Sequence, residues 1–488
     1  MRTTPCFPDT PRRYAVRHWL ALAAILLTLL ASSAYAQPAA RPAVRSVFVS
    51  SSGSGAVADA VRKRLIDRLK KSGEVQVAED SASADAVLHV STVIWPTGTV
   101  SPNPRSASVV LTNYQGYISA ELTGPSHQTL WSYLVTPGRF RMSNIVDDLA
   151  DHLSERLIDA VKTGIPDTSS PSAAAGAAGV SLRAAGATFP APLYRKWFES
   201  FAEEPGGFAI AYDAIGSVAG LEQLAAGKID MAASDIQPAQ DQTSAGLLHF
   251  PTVVGGVVPI YNLPDAGRSL NLTPQILAGI YSGKIRRWND PRIRESNRGA
   301  HLPDAEISVV HRSDGSGTSY AWTSFLAAAS PEWKSKVGAS VEWPVGTGAS
   351  GNEGVAEQVA KTPDSIGYVE LIYAIQHQLS YAAVENPAGR FIKADLDSIT
   401  TAAASAASGD HRSYLSALNT APKNAYPITT FTWLVVPETR GSAQQRAEIA
   451  KFLRWMLTTG QKQCEALGYA PLPREIVAGE LQTAAGLK

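Results

Sequence analysis

The sequence predicts an α/β protein, and three observations predict it. Short apolar runs that suit buried strands, such as residues 44–49 and 307–310, recur along the chain. Longer stretches place apolar residues at helical spacing, as in Val57, Val61, Leu65, Ile66 and Leu69, or Ile145, Leu149, Leu153, Leu157 and Val161. The joints from strand to helix are rich in Gly, Ser and Thr, with Arg312-Ser313-Asp314-Gly315-Ser316-Gly317-Thr318-Ser319 the fullest example.

That segment follows a strand and opens a helix running through Trp322 and Phe325. The first turn of a helix has N–H groups without internal partners, and its dipole favours negative charge. Gly315 and Gly317 permit close backbone approach. Ser316, Thr318 and Ser319 add hydroxyls, and Arg312 adds a planar cation suited to a tetrahedral oxyanion. The same residues suit an ordinary Ser/Gly turn capping a helix, and this segment alone leaves both readings open.

At 488 residues, two or three domains are expected. Lys+Arg and Asp+Glu are both 43, so no basic excess points to nucleic acid or an anionic membrane. A bound anion would have to be captured by local donors rather than by the overall field. Residues 1–36 have the pattern of a secretory signal: Arg12, Arg13, Arg17 and His18, an apolar run from Leu20 to Leu30, then Ala34-Tyr35-Ala36 before Gln37. Cleavage near Ala36 and an exported, soluble protein are expected. Of the two cysteines, Cys6 lies in that segment, leaving Cys464 as a buried thiol in an apparent C-terminal helix. No disulfide and no cysteine metal cluster is expected.

Residues 37–43 read as an Ala/Pro linker and 44–163 as a small α/β domain of unassigned role. Its first helix, residues 57–69, would bury Val57, Val61, Leu65, Ile66 and Leu69 and leave Arg62, Lys63, Arg64, Arg68, Lys70 and Lys71 on a solvated face. Strands are expected at 75–77, 86–94, 108–111, 117–122 and 130–135, and a closing helix capped by Ser143. Residues 164–180 are a low-complexity linker.

The domain at 181–488 contains three more segments of the opening type. In Gly186-Ala187-Thr188-Phe189-Pro190-Ala191-Pro192 a strand turns into a helix beginning near Pro192, with the Thr188 hydroxyl and the N–H groups of Thr188 and Phe189 as donors. In Tyr212-Asp213-Ala214-Ile215-Gly216-Ser217-Val218-Ala219-Gly220, Ser217 stands at a helix start. Ile229-Asp230-Met231-Ala232-Ala233-Ser234-Asp235 is a strand ending on an acidic residue.

In order and spacing these four segments resemble the periplasmic phosphate-binding protein of the bacterial high-affinity phosphate ABC transporter. Further landmarks agree: residues 250–258, Ile280-Tyr281-Ser282-Gly283-Lys284, Ser365-Ile366-Gly367-Tyr368-Val369-Glu370, Tyr426-Pro427-Ile428-Thr429-Thr430 and Gly468-Tyr469-Ala470-Pro471. The resemblance covers 181–488 and none of 1–180. It implies a two-lobed type II periplasmic-binding-protein fold, lobe one from 181–255 and 426–488 and lobe two from 257–425. By resemblance the phosphate ligands would be Thr188, Phe189, Ser217, Asp235, Arg312, Ser316, Gly317 and Thr318, with Asp314 orienting Arg312. The chain departs from the family at Val218-Ala219, where Ser-Gly is frequent.

Asp235 carries the chemistry of selectivity. An ionised carboxylate only accepts hydrogen bonds, so it repels a bound anion unless that anion brings a proton. Hydrogen phosphate has one and sulfate has none, a difference worth roughly 10⁴–10⁵ by analogy with polar sites that reject ligands lacking a donor. The resemblance implies capture of inorganic phosphate and delivery to a membrane ABC permease, without cofactor or metal. Two alternatives stand beside it. One is a secreted phosphatase-like enzyme, for which no nucleophile–base pair and no paired metal spacing among the nine His is visible; His311 is expected to point away from the site. The other is a phosphate sensor in which 44–163 engages an envelope partner. Gly346-Thr347-Gly348-Ala349-Ser350-Gly351 fits the dinucleotide fingerprint but reads as a glycine-rich loop before a helix around 355–359. Trp288, Trp322, Trp343 and Trp433 are expected in packing roles, and residues 400–408 as a loop or exposed helix.

Overall fold

The computed structural model describes residues 44–52, 56–100, 111–125, 129–135, 145–163, 181–238, 246–263, 266, 269–407 and 417–487. The expected signal segment 1–36, the linkers 37–43 and 164–180, Ser143 and residues 108–110 lie outside them.

Residues 44–163 build a five-stranded sheet from β1 (Ser46–Ser52), β2 (Gln76–Val77), β3 (Ala86–Val100), β4 (Leu111–Thr123) and β5 (Thr129–Val135), in the order β2-β1-β3-β4-β5. Helix α1 (Ala56–Ser72) links the parallel strands β1 and β2, and α2 (Ile145–Thr163) closes the domain. Val61, Leu65 and Leu69 of α1 and Leu149, Leu153 and Leu157 of α2 are buried, as their spacing requires. Val57 departs from its expected place and is 45% exposed, one turn before the buried stripe begins.

The basic face of α1 is not simply solvated. Helix α2 lies beside it, and Arg64 Nε donates to Asp151 at 3.1 Å and approaches Asp147 at 3.2 Å. Arg68 also pairs with Asp151, and Arg62 Nε donates to the Val49 carbonyl at 2.9 Å. The three arginines of α1 therefore tie it to its neighbours, while Lys63, Lys70 and Lys71 are exposed.

The larger part of the chain continues with β6 (Ser181–Gly186), α3 (Ala191–Glu203), β7 (Ala209–Asp213), α4 (Ser217–Ala225), β8 (Met231–Ser234) and β9 (Leu247–Tyr261). Next come β10 (Asn271–Leu272), α5 (Pro274–Tyr281), α6 (Pro291–Ser296), β11 (Ser308–Arg312), α7 (Gly317–Ala329), β12 (Thr347–Ala349), α8 (Gly351–Lys361), β13 (Ser365–Glu370) and α9 (Leu371–Gln376). After these stand β14 (Ser380–Tyr381), β15 (Ala383–Glu385), β16 (Phe391–Ile392), α10 (Leu396–Ala407), β17 (Thr429–Pro437), α11 (Ala443–Thr458) and α12 (Arg474–Gly486).

One strand path runs β12-β11-β13-β9-β17-β8-β6-β7. Strand β9 belongs to both halves of it. From Leu247 to Gly256 it pairs antiparallel with β17, and from Val257 to Tyr261 with β13. From Phe250 onward every residue of β9 is buried, which explains its near-continuous apolar run without alternation. Helix α3 connects β6 to β7 and α4 connects β7 to β8, and both β7 and β8 pair parallel with β6, as parallel neighbours need a crossover connection. Along α3, Tyr194, Trp197, Phe198 and Phe201 are buried, each worth about 1.5–3 kcal/mol of apolar burial.

Three local readings change in the folded chain. Helix α10 buries Ala402, Ala403 and Ala407, so the Ala-rich stretch is packed rather than exposed, its small side chains suiting close approach to β9 and β17. Cys464 is buried, but between two short 3₁₀ turns after α11 rather than in the helix. The loop 346–351 is partly strand: β12 extends the sheet beside β11, and α8 begins at Gly351. Trp288, Trp322 and Trp433 are buried; Trp343 is half-buried and stacks on His311 with centroids 5.0 Å apart.

Candidate functional site

The site is assembled from the ends of β6, β8 and β11 and from the starts of α3, α4, α7 and α8. After β6, the loop Ala187-Thr188-Phe189 is held by its carbonyls. The Tyr373 hydroxyl donates to the Thr188 carbonyl and the Tyr469 hydroxyl to the Phe189 carbonyl, both at 2.6 Å. A trans peptide sets C=O and the following N–H on opposite sides, so the Phe189 N–H faces away from Tyr373. Proline opens α3, where no N–H is needed.

Gly216, at φ 95°, caps α4 in a conformation disfavoured for side chains, and a Cβ there would meet Asp314 Oδ2 at 2.6 Å. Ser217 follows, 1% exposed. Its hydroxyl oxygen accepts from the backbone N–H of Gly317 at 3.2 Å and of Asp235 at 3.3 Å. Val218, where the chain departs from its resemblance, donates its N–H to the Gly315 carbonyl at 3.2 Å and packs against Gly315. Gly317 opens α7 so close to its neighbours that a Cβ would stand 2.5 Å from Asp235 Cβ and 2.8 Å from Ser217 Oγ. Ser316 is the N-cap of α7 and accepts from the Ser319 N–H at 3.1 Å.

Arg312 ends β11 with its side chain 1% exposed. Its Nε donates to Asp314 Oδ1 at 2.8 Å and its Nη2 to Oδ2, a fork that fixes the guanidinium plane. Its Nη1 donates to Thr318 Oγ1 at 3.4 Å. The Gly351 N–H also donates to Asp314, at 3.0 Å, so one carboxylate orients the arginine and caps α8. Burial pushes Asp314 upward, but the Arg312 hydrogen bonds and charge outweigh it and hold the carboxyl below its ordinary value.

Asp235, just past β8, is 1% exposed. Burial raises its carboxyl to about 7, against the opposing pull of the Thr432 hydroxyl bond and the Arg312 charge. A second buried acid, Glu370, is also raised by burial; its Oε2 accepts the Ile372 N–H at 2.8 Å as the cap of α9.

The folded chain thus gathers Thr188, Phe189, Ser217, Asp235, Arg312, Ser316, Gly317 and Thr318 around one place, with Asp314 behind the arginine. His311 stacks on Trp343 beside this cluster. Several contributors were not singled out from the sequence. Tyr373 and Tyr469 hold the Thr188-Phe189 loop, and Tyr368 accepts the Arg312 N–H at 3.2 Å. Thr432 binds Asp235, and Asn352 bridges Thr188 and Thr318. Tyr368 and Tyr469 lie inside landmarks already noted for the resemblance; Asn352 directly follows the glycine loop set aside as a false fingerprint. Among the described residues no group of three His, Cys, Asp or Glu is placed to hold a metal ion.

Comparison with known proteins agrees on one family. Residues 171–459 match the family model of a PBP superfamily domain. The phosphate-binding protein PstS of Xylella fastidiosa is 41% identical over 318 residues, covering 64% of this chain and 86% of that protein. The protein of the same name from Pasteurella multocida is 41% identical over 310 residues, 61% of this chain and 88% of its own length. That of Methanocaldococcus jannaschii is 38% identical over 327 residues, 61% and 84%. Among solved structures, a high-affinity periplasmic phosphate-binding protein (PfluDING) bound with phosphate superposes with a TM-score of 0.51 at 21% identity, over 62% of this chain and 93% of its own. A DING protein gives 0.50 at 19%, over 61% and 93%. The chain therefore belongs to the PBP superfamily and, within it, to the PstS family, with a two-lobed type II periplasmic-binding fold preceded by a small α/β domain.

Proposed function

We propose that this protein captures inorganic phosphate between its two lobes in the periplasm and delivers it to a membrane ABC permease. The observation that carries this reading is Asp235: a buried carboxylate set among donors, 1% exposed and within the field of Arg312. Arg312, the hydroxyls of Thr188, Ser217 and Thr318 and the starts of α3, α4 and α7 suit a tetrahedral oxyanion. Asp235 supplies the single acceptor, which pairs with a ligand that carries a proton and repels one that does not. The relatives' name, phosphate-binding protein, supports the same ligand.

In this reading Thr188, Phe189, Ser217, Asp235, Arg312, Ser316, Gly317 and Thr318 hold phosphate and Asp314 positions Arg312. Lobe one comprises 181–255 and 426–488, lobe two 257–425, with β9 and the approach to β17 as the crossings. Binding and delivery, rather than catalysis, is the role. Residues 1–36 act as a signal removed near Ala36. Residues 44–163 form an accessory domain seated on the phosphate-binding part, where Ser132 Oγ donates to the Lys462 carbonyl at 2.5 Å and Tyr133 donates to Asp397 at 3.3 Å.

Calorimetric titration of protein stripped of phosphate tests the proposal, with phosphate, then sulfate, and both again on Asp235→Asn. Tight phosphate binding, no sulfate binding and gained sulfate affinity in the variant are expected. No phosphate binding by the folded, stripped protein overturns it.

A further inference from the structure

Asn352 is fully buried in the first turn of α8, and every polar atom of its side chain is committed. Its Oδ1 accepts the backbone N–H of Glu370 at 3.0 Å. A backbone N–H only donates, so this bond fixes which end of the amide is oxygen and turns the NH₂ group toward the site. There Nδ2 donates to Thr188 Oγ1 at 2.9 Å and to Thr318 Oγ1 at 3.2 Å. The Asn352 backbone N–H donates to Thr188 Oγ1 as well, at 3.2 Å.

A threonine hydroxyl has two acceptor positions and one hydrogen. Thr188 Oγ1 receives two N–H groups, both from Asn352. Thr318 Oγ1 receives two, one from Asn352 and one from Arg312 Nη1 at 3.4 Å. Both oxygens are then saturated as acceptors, and neither hydroxyl donates a hydrogen bond among the described residues. Their hydrogens are left for a third party that accepts.

We propose that Asn352 is a positioning residue that fixes the polarity of the site: it sets the Thr188 and Thr318 hydroxyls as donors and links the two segments they belong to, 164 and 34 residues away. It touches no ligand itself. Without it either hydroxyl is free to rotate and turn a lone pair toward the anion, which is repulsive. The inference rests on phosphate as the ligand of this site. It adds the reason why the hydroxyls present hydrogen rather than oxygen to it.

The test is phosphate titration of the full chain carrying Asn352→Ala, Asn352→Asp, Thr188→Val with Thr318→Val, and the combinations. Asn352→Ala is expected to weaken phosphate binding roughly 30- to 300-fold. In the Thr188→Val, Thr318→Val background its further effect falls to about threefold or less, because Asn352 acts through those hydroxyls. Asn352→Asp keeps the shape and the acceptor for Glu370 N–H but replaces the donating amide. Its loss relative to wild type is expected to be greater at pH 8 than at pH 5.5, where a protonated carboxyl donates again. Thermal melting of the phosphate-free proteins checks the fold, and the near-isosteric aspartate carries the same cycle should the alanine variant not fold. Binding by Asn352→Ala and Asn352→Asp within threefold of wild type overturns the inference, as does an undiminished effect in the double-valine background. A wild-type protein that binds no phosphate overturns the proposed function and this role together.

Discussion

The Thr432 hydroxyl donates to Asp235 Oδ1 at 2.6 Å across 197 residues of sequence. Strand β17 thereby holds the carboxylate that β8 delivers, and the two strands are paired through Trp433 and Ser234 next door. The bond steadies Asp235 in one orientation without neutralising it, which makes the acid's own titration the first thing to measure.

We predict that acidification stabilises the phosphate-free protein through Asp235. Its folded value, about 7, lies above the ordinary 3.8 because of burial. A raised carboxyl contributes stability that is present below the unfolded value and is lost as pH rises through the folded one. The window is therefore pH 4 to 7, and the full contribution is of order 4 kcal/mol. Urea unfolding at pH 8 and pH 5 should show wild type gaining on Asp235→Asn as pH falls; parallel behaviour of the two would refute it.

Gly317→Ala should weaken phosphate binding about 10- to 100-fold, since overpacking of 1–3 kcal/mol is typical. The new methyl group would stand 2.5 Å from Asp235 Cβ, on a different segment of the site. We predict that the lobes part in the phosphate-free protein and relieve that clash, and alanine suits a helix start, so the phosphate-free protein should change in stability by less than about 1 kcal/mol. Calorimetry and unfolding on the same variant separate the two effects.

Asp314→Ala leaves Arg312 buried without its partner, and removing one member of a buried pair is typically worth 3–5 kcal/mol. Asp314 itself is about a fifth exposed, so a loss near the lower end, about 3 kcal/mol, is expected. Its carboxyl is held below the ordinary value, so this contribution is present at neutral pH and is lost as pH falls through the folded value. Unfolding of wild type and variant should converge as pH falls below the ordinary carboxyl value of 3.8.

The seat of the accessory domain should respond to Ser132 more than to Arg156. Buried Ser132 donates to the Lys462 carbonyl and accepts the Ala466 N–H at 3.2 Å, and Ser132→Ala should loosen residues 460–467 by about 1–2 kcal/mol in hydrogen exchange. Arg156 pairs with Asp397 where both are more than a third exposed, so Arg156→Ala should matter less, under about 1 kcal/mol at pH 6. Burial raises Glu465 beside them to about 7, with Arg156 pulling it down. Above that pH the acid ionises near Asp397, and the arginine variant should then lose more protection relative to wild type; an equal loss of protection at pH 6 and pH 8 would contradict this.

Much of the local structure was legible in the chain itself. The apolar stripes of α1 and α2, the strand-to-helix joints at Thr188, Ser217 and Arg312, and the Ser/Gly turn that caps the helix after Arg312 follow from residue type and spacing within one or two turns. The pairing of Arg64 and Arg68 was not legible, because α2, some eighty residues on, supplies Asp151, although both side chains stay more than a third exposed. Residues 346–351 were set aside because their glycines say nothing of what Asn352 will face.

By itself the sequence determined which segments would turn, cap and start helices, because those preferences arise from short-range sterics and from backbone groups left without partners at helix ends. It also determined that Asp235 and Arg312 would terminate strands. Only the tertiary structure decided that Thr432 would meet Asp235, that Asn352 would join Thr188 to Thr318, and that Tyr373 and Tyr469 would hold the first loop. Those bonds span 34 to 280 residues, and their partners are chosen by strand order and helix packing. A hydroxyl or amide has no intrinsic preference for a distant mate; burial beside it, with no water to take its place, makes the pairing obligatory.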